Sequence, residues 1–551
     1  MPGAVTLAGV RHVIVIGSGP AAAAASMAVA GHRDVRITVL DIGGELEPDR
    51  HRAQLRLRSL APADWPPGDV ERIRRQPVGP GTAVSATKGS LPQKRSFGSD
   101  FSFRDFGQLQ GVTALGGANA SVVSGAYGGF STVWGAQIMV YPEAGFASWP
   151  VTRADLEPHY RAVLSAMPYA AVADDLAERF PLMADAEPLP PPAPRTAAVL
   201  AAYRRNRSKV RRLGVTVGQA RLALAAGRCV RCGLCMTGCP YGLVYSASQT
   251  FDALRSSGRV DYHGGVVAHR LGEEGDQAIV VVSDRRTGQR RQLRADRVLV
   301  ACGAMGTTRL VLGSTGTGER MVTMAESVQF VVPMGSLAPT PDPRASTEMT
   351  LNQFNMVVSL DEEGADLAQV HFYPYNPAML HALPGPKTGT VGRGITAAVL
   401  RRLTVGLGYL PSWASPRLQV TVGADGSDGL PSLTVRREEA DGSSPAMLRS
   451  VLARMARVAP HLDLWPIVPA VSVAAGAKSY HFGGSFPHRA GASGPVGDLT
   501  TDVLGRLPRW RRIHLVDASV FPSVPAPTFT LTVMANAHRI ATGAMDLERQ
   551  P

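Results

Sequence analysis

The chain has 551 residues, of which 45% are hydrophobic and 18% are charged. This composition predicts two or three packed domains and excludes intrinsic disorder. The formal net charge of +13 comes mostly from arginine, but the basic residues are scattered apart from RRNRSKVRR at 204–212. We therefore expect a solvated basic surface and no nucleic-acid partner.

Five cysteines are too few for a disulfide scaffold and indicate a reducing compartment. No targeting signal is visible in the first 20 residues, and no apolar run reaches the roughly 18 residues that a membrane span needs. The predicted location is cytoplasmic, and no transmembrane segment is expected.

Residues 12–42 have the pattern of a βαβ unit. The apolar run at 13–16 and the sequence RITVLD at 36–41 predict strands, and the alanine-rich stretch at 20–30 predicts the helix between them. The G-x-G-x-x-A motif uses Gly17 for the tight turn, Gly19 for close approach to a pyrophosphate and Ala22 for close packing of the helix. Asp41 ends the second strand, where a carboxylate can bind a ribose. The unit predicts a dinucleotide site, and the alternative is a glycine-rich turn in an unrelated α/β fold.

Four of the five cysteines fall in the run CVRCGLCMTGCP at 229–240. The spacing C-x2-C-x2-C-x3-C-P is typical of iron-sulfur proteins, and zinc is the main alternative. We expect Cys229, Cys232, Cys235 and Cys239 to be metal ligands. The cluster is either [4Fe-4S], or [3Fe-4S] with one cysteine spare. Cys302, which follows a predicted strand, is interpreted as a small buried residue.

Four further segments are similar to motifs of the glucose-methanol-choline (GMC) oxidoreductases, which bind FAD. In chain order they are GGFSTVWGA at 128–136, SWPVTRADLEPHY at 148–160, RVLVACGAMGTTRLVLGS at 297–314 and IHLVDASVFPSVPAPTFTLTVMANAHRIA at 513–541. The resemblance covers both ends and the middle of the chain and fails over roughly 315–470. It implies an α/β fold with a Rossmann-like FAD-binding domain and an antiparallel-sheet substrate-binding cap.

The resemblance also implies roles for individual residues. Gly17, Gly19 and Asp41 would bind the ADP half of FAD, and the backbone of Val267 would meet the adenine. Gly129 and Ser131 would lie beside the isoalloxazine. Asp517 and Ala518 would close over the pyrophosphate, ahead of a helix that begins near Thr530. Some members link FAD covalently through a histidine where this chain has Val133, so we expect non-covalent FAD.

The stretch SYHFGGSFPH at 479–488 resembles the family's catalytic segment and makes His481 the candidate base. A neutral imidazole suits removal of a hydroxyl proton while hydride leaves the carbon. The family's second His or Asn is replaced here by PTFTLT, which puts Thr528 or Thr530 near that position. A threonine hydroxyl can donate a hydrogen bond but cannot replace the base. His488 is an outside candidate, and His538 is expected to cap a helix or face solvent.

The expected FAD domain comprises 1–160, 225–320 and 490–551, and the expected cap comprises 161–224 and 321–489. The cysteine loop resembles that of a bacterial GMC branch with an iron-sulfur cluster. The resemblance implies an alcohol dehydrogenase for a sugar, glycoside, cyclitol or other secondary alcohol. Its electrons would pass through the cluster to an acceptor protein or small electron-transfer subunit. The alternatives are an oxidase with a structural cluster and a non-catalytic flavin electron-transfer subunit.

Overall fold

The computed structural model describes most of the chain, in twelve stretches. These are residues 11–74, 94–103, 113–114, 123–316, 321–345, 347–361, 366–375, 389–425, 430–438, 443–474, 479–490 and 499–546. Residues 1–10, half of the stretch inspected for a targeting signal, lie outside this part.

The strands and helices of the described residues follow one another in a mixed order. The strands are β1 (Arg11–Ile16), β2 (Val35–Leu40), β3 (Thr113–Ala114), β4 (Val215–Gln219), β5 (Asp261–His263), β6 (Val266–Glu274), β7 (Gln277–Asp284), β8 (Arg290–Ala295), β9 (Arg297–Val300), β10 (Met321–Glu326), β11 (Gln329–Gly335), β12 (Phe354–Ser359), β13 (Leu367–Tyr373), β14 (Leu403–Tyr409), β15 (Arg417–Asp425), β16 (Pro431–Glu438), β17 (Trp465–Pro466), β18 (Ser472–Val473), β19 (Phe482–Gly483) and β20 (Ile513–Leu515). The helices are α1 (Pro20–Ala30), α2 (Pro48–Arg58), α3 (Pro67–Arg74), α4 (Arg153–Ser165), α5 (Pro194–Arg212), α6 (Ala247–Ser256), α7 (Ala304–Thr315), α8 (Gly389–Leu400), α9 (Ser443–Leu462) and α10 (Thr530–Asp546).

A parallel sheet gathers strands from distant parts of the chain, in the order β20-β9-β1-β2-β5. The central strand β1 pairs with β2 on one side and with β9 on the other. Residues 13–16 are almost fully buried because both faces of a parallel sheet are covered. The small side chains of α1 allow it to pack closely against α10, which brings the C-terminal helix beside the N-terminal βαβ unit.

Antiparallel pairing dominates the remaining sheets. One has the order β19-β10-β15-β16-β3, with only β3 parallel to its neighbour among the described strands. Another has the order β17-β11-β14-β13-β12-β4, with β18 also paired to β11, and we call it the cap sheet. A small sheet, β6-β7-β8, follows β5 in the chain. The α/β fold class with a parallel sheet and an antiparallel cap is thus confirmed.

The two faces of the cap sheet differ in character. One face packs against α5 and α9 through a hydrophobic core that includes Phe330, Phe354 and Phe372. The glycines of β14 make room for these rings, because a Cβ on Gly408 would lie 2.0 Å from the Phe330 ring. Side chains alternate along a strand, so the residues between these apolar positions lie on the opposite face.

Two observations bear on the expected organisation of the chain. Strand β3, from the segment assigned to the FAD domain, pairs with β16 from the segment assigned to the cap. The domain boundaries therefore stay a prediction. Within the described residues, no helix is both long enough and apolar enough to cross a membrane.

Candidate functional site

A cavity of about 250 Å³ lies where the parallel strands β1, β2 and β9 end. Ligands of open parallel sheets bind at this carboxyl edge, where loops of different strands converge. The lining includes Gly17, Gly19, Asp41, Gly129, Val267, Cys302, Tyr480, Asp517, Ala518, Phe529 and Thr530. Residues from both ends of the chain and from its middle thus share one cavity.

The glycine loop follows β1 directly. Gly17 has φ +107°, and a Cβ there would lie 2.4 Å from the carbonyl oxygen of Ala301, so no other residue fits without a shift. Gly19 is the N-cap of α1, and a Cβ built on it meets no described atom within 4 Å. The loop is therefore tight at Gly17 and open toward the cavity at Gly19, at the positive end of the helix dipole.

Asp41 is held at the end of β2 by a network of hydrogen bonds. Its Oδ2 accepts from the hydroxyl of Ser18 at 2.6 Å, from that of Tyr262 at 2.9 Å and from the backbone N–H of Gly43 at 3.1 Å. Burial raises the pKa of Asp41 to about 6 despite these donors. Oδ2 accepts all three of these hydrogen bonds. Asp41 also borders the cavity.

Asp517 and Ala518 approach the cavity from the turn after β20. Asp517 Oδ2 accepts a 2.5 Å hydrogen bond from the hydroxyl of Thr307 in α7, and its Oδ1 accepts from the backbone N–H of Ser519. Burial raises the pKa of Asp517. Thr530 is the first residue of α10, so a second helix N-terminus borders the cavity.

Two of the predicted cofactor-binding positions, Ala22 and Ser131, do not line the cavity. Ala22 is fully buried in α1. The Ser131 hydroxyl donates to the carbonyl of Gly128 at 2.5 Å and accepts from the backbone N–H of Ala247, so it fastens the 128–131 turn to α6. Val133 is buried. Gly129 itself lies against the glycine loop, because a Cβ added to Gly129 would be 3.0 Å from Cα of Gly19.

His481 lies beyond the cavity, between the C-terminal segment and the cap sheet. Its neighbours Tyr480 and Phe482 line the cavity, whereas its own ring stacks on Tyr409 of β14 with centroids 4.4 Å apart. Tyr480 has φ +56°, a conformation that residues other than glycine rarely adopt. Burial lowers the pKa of His481 to about 4.

Two buried polar atoms in this region lack a hydrogen-bond partner among the described residues. They are Nδ1 of His481 and Oγ1 of Thr528. The ring of Phe529, which follows Thr528 in the chain, makes an edge contact with the His481 ring at 5.2 Å. Because buried polar groups are normally paired, these atoms are candidates for contact with a bound molecule.

The other two histidines considered in the sequence have structural contacts. His488 Nδ1 lies 2.6 Å from the carbonyl oxygen of Asp502, and its Nε2 lies 3.2 Å from the amide of Asn536. The expectation that His538 caps a helix or faces solvent is wrong, because its Nδ1 lies 2.9 Å from Nδ1 of His159. This contact joins α10 to α4, and the packing of those helices was not readable from local sequence.

The cysteine loop, residues 229–240, contains four cysteines, and all four are free thiols. Positive φ angles at Arg231, Gly233 and Gly238 fold the loop back on itself. The backbone N–H of Arg231 donates to Cys229 and that of Leu234 to Cys232. Burial raises the pKa values of both thiols, and the neighbouring cysteines raise them further.

The donor chemistry of this loop, four thiols with backbone N–H groups directed at sulfur, suits a soft metal centre. Among the residues that the structure describes, however, no group of three or more His, Cys, Asp or Glu side chains is arranged to hold a metal ion. The metal-ligand assignment therefore stays a prediction.

Several residues that line the cavity or support its lining were missed by sequence reasoning. Ser18 is the variable residue inside the G-x-G motif, and its hydroxyl links Asp41 to the backbone N–H of Gly128. Tyr262 comes from β5, more than 200 residues after Asp41, so only the sheet order brings them together. Cys302 was expected to be a small buried residue, whereas it is partly exposed and lies on the cavity wall.

Solved structures share this fold, whereas the sequence comparisons find no match. No protein-family model matches the chain, and no curated protein sequence matches it. The structure of pyridoxine 4-oxidase from Mesorbium loti matches with a TM-score of 0.59 and 15% sequence identity, over 98% of this chain and 100% of that chain. The two chains share a fold. At this identity the likeness concerns the fold alone, and it extends over the parallel-sheet part and the cap.

Proposed function

We propose that this protein is an FAD-dependent oxidoreductase acting on the CH–OH group of a small alcohol. The observation that carries the proposal is one cavity bordered by the open glycine loop, by Asp41 and by the N-termini of α1 and α10, with His481 beyond its far end. The glycine loop suits a pyrophosphate, and a buried imidazole suits proton removal from a hydroxyl.

The residues of the cavity fit a flavin dinucleotide on structural grounds. A Cβ on Gly19 would fill open space at the N-terminus of α1, which is where a pyrophosphate needs backbone N–H groups. Asp41 would bind the ribose hydroxyls, and the backbone of Val267 would border the adenine. Gly129, Asp517, Ala518 and Thr530 would hold the remainder. Val133 offers no nucleophile, so the flavin is proposed to be non-covalent.

Proton removal is the task proposed for His481. Its lowered pKa keeps the imidazole neutral near pH 7, and a neutral ring can accept the substrate proton. Thr528 would donate its hydroxyl to the substrate oxygen. The flavin, when bound, supplies the chemistry of hydride acceptance. The substrate class proposed from the GMC resemblance is a sugar, glycoside, cyclitol or other secondary alcohol.

We further propose an iron-sulfur cluster on Cys229, Cys232, Cys235 and Cys239. The spacing and the thiol donor set support it. Contacts also run from this loop toward the cavity, because Phe97 packs against Gly238 while the neighbouring Ser96 donates to the carbonyl of Thr132. A cluster supplies one-electron transfer, which suits a dehydrogenase with an external acceptor in the cytoplasm.

A second candidate is an alcohol oxidase. The shared fold with a protein named an oxidase favours it, and in this candidate the cysteine cluster would be structural. In this reading oxygen accepts the electrons, and pyridoxine becomes a substrate to test.

Purified protein mixed anaerobically with a panel of alcohols, including pyridoxine, tests the proposal. We expect at least one alcohol to bleach the flavin absorbance. Fast reoxidation by air would favour the oxidase, whereas reoxidation only by an artificial acceptor would favour the dehydrogenase. Protein that carries no flavin, or flavin that no alcohol bleaches, would contradict the proposed function.

A further inference from the structure

The second face of the cap sheet is buried and carries polar side chains among apolar ones. Strand register places Asn355 beside His371, and Gln369 beside Tyr409, on the face opposite the α5 and α9 core. All four residues are less than about a tenth exposed. This face is uncharged at these four positions, so it suits a neutral polar molecule.

Several polar atoms on this face have no hydrogen-bond partner among the described residues. They are Oδ1 of Asn355, Oε1 of Gln369 and Nε2 of His371. A buried polar atom without a hydrogen-bond partner destabilises the folded protein. A group of them on one face, with Nδ1 of His481 and Oγ1 of Thr528 also unpaired, points to a ligand that completes their hydrogen bonds.

Tyr409 joins His371 to His481. The Tyr409 ring stacks on His481 with planes 19° apart, and it contacts the His371 ring with centroids 5.2 Å apart. The Tyr409 hydroxyl accepts a 2.7 Å hydrogen bond from the Gln329 amide, which fixes its position. Burial, and secondarily the nearby His481, lowers the pKa of His371 to about 3, so both imidazoles are neutral near pH 7.

We propose that His371 is the second catalytic imidazole of the site, hydrogen-bonded to the oxygen of the alcohol from the cap side while His481 takes its proton. The proposal rests on the proposed function. It places on the cap sheet the second imidazole that the C-terminal PTFTLT segment does not supply. With Asn355 and Gln369 beside it, His371 selects neutral substrates that carry more than one hydroxyl or similar polar group.

The step balances with a bound oxidised flavin as the two-electron acceptor. The substrate O–H bond breaks and its proton goes to His481. The C–H bond breaks and its hydride, with two electrons, goes to the flavin. The C–O single bond becomes a carbonyl. His371 donates to the oxygen as negative charge develops on it, and preorganised donors of this kind typically contribute about 10²- to 10³-fold in rate.

The test uses the flavin-loaded protein with an alcohol that reduces it. His371→Leu removes the donor and is expected to slow flavin reduction about 10²- to 10³-fold without lowering flavin content. His371→Asn keeps a hydrogen-bond donor and should lose less, about tenfold. The matched control is His51→Asn, the same change on the exposed face of α2, which should behave as the wild type.

A second measurement does not depend on turnover. Binding of the carbonyl product to the oxidised protein, followed by the flavin difference spectrum, should weaken about tenfold or more in His371→Leu and less in His371→Asn. A purely structural His371 would instead lower the melting temperature of the ligand-free protein. We expect no such loss, because Nε2 has no partner there to lose among the described residues.

The outcomes separate the two proposals. A wild-type flavin that no alcohol reduces would overturn the proposed function and the role of His371 with it. A wild-type flavin that is reduced, together with a folded His371→Leu protein that reacts and binds product normally, would overturn the role of His371 alone. Slower reduction with weaker product binding and unchanged stability supports it.

Discussion

The imidazole of His481 stacks on the phenol ring of Tyr409, with centroids 4.4 Å apart and ring planes 19° apart. This contact joins the segment that borders the cavity to the face of the cap sheet that carries unpaired polar atoms. A substrate held at this junction would meet the proposed base on one side and the cap on the other. The following predictions test the parts of this arrangement separately.

Replacing the proposed base should slow flavin reduction by the alcohol without loss of bound flavin. His481→Gln is expected to slow flavin reduction by alcohol about 10²- to 10⁴-fold, the usual contribution of general acid–base catalysis. Its side chain does not line the cavity, so flavin content should be unchanged. Stopped-flow absorbance follows the flavin, and His51→Asn serves as the control. Normal reduction in a folded variant would rule out His481 as the base.

Substitutions of the two loop glycines should have different effects, one on stability and the other on flavin binding. Gly17→Ala places a side chain at φ +107° and against the carbonyl of Ala301, so we expect it to destabilise even the flavin-free protein by about 1–3 kcal/mol. The Cβ added by Gly19→Ala meets no described atom within 4 Å, so the flavin-free variant should unfold at the wild-type temperature. Its flavin content should nevertheless fall. Thermal unfolding and flavin absorbance measure the two effects.

Gly68→Ala in α3, where an added Cβ also meets nothing within 4 Å, is the matched control for both. It should bind flavin normally. Equal flavin binding by Gly19→Ala and Gly68→Ala would contradict a pyrophosphate at the glycine loop.

Asp41 should leave a pH signature in the flavin-free protein. Its pKa is raised from 3.8 to about 6 in the folded state, so between about pH 4 and 6 the folded protein holds a proton that the unfolded chain has released. This group therefore lowers stability as pH rises through that window. Asp41→Asn removes the effect, so its melting temperature relative to wild type should increase between pH 4.5 and 7.5.

The same substitution should weaken flavin binding, because an amide cannot replace a carboxylate as a two-oxygen acceptor for ribose hydroxyls. Comparing the two proteins at each pH cancels the contributions of the buried histidines. A melting-temperature difference that does not change with pH would show that Asp41 is ionised throughout this range.

Substitution of a cysteine in the loop should block flavin reoxidation but leave flavin reduction intact. Protein purified without oxygen is expected to contain three or four iron atoms, and Cys232→Ser should lose iron, keep normal flavin reduction by alcohol and lose reoxidation by the natural acceptor. Cys302→Ser, outside the loop, is the control for iron content. Zinc in place of iron, or normal turnover of a folded Cys232→Ser protein, would contradict the relay.

The sequence by itself determined the features that depend on neighbouring residues. The βαβ unit, its glycine loop and the position of Asp41 follow from short-range rules, because a positive φ and a helix N-terminus are properties of a few consecutive residues. The antiparallel sheet of the cap was expected from the resemblance to the GMC family. The spacing of the cysteine run is also local, but spacing alone does not set the geometry of four thiols.

Only the tertiary structure decided which distant residues meet. Tyr262 reaches Asp41 because β5 is the edge strand beside β2, and His538 contacts His159 because α10 crosses α4. His371 contacts Tyr409, which itself stacks on His481, through the register of β13 on β14. A shift of one residue would turn the His371 side chain into the hydrophobic core instead. Strand order and register are set by burial summed over whole sheets, so no local pattern around His371 or His481 specifies that they share a site.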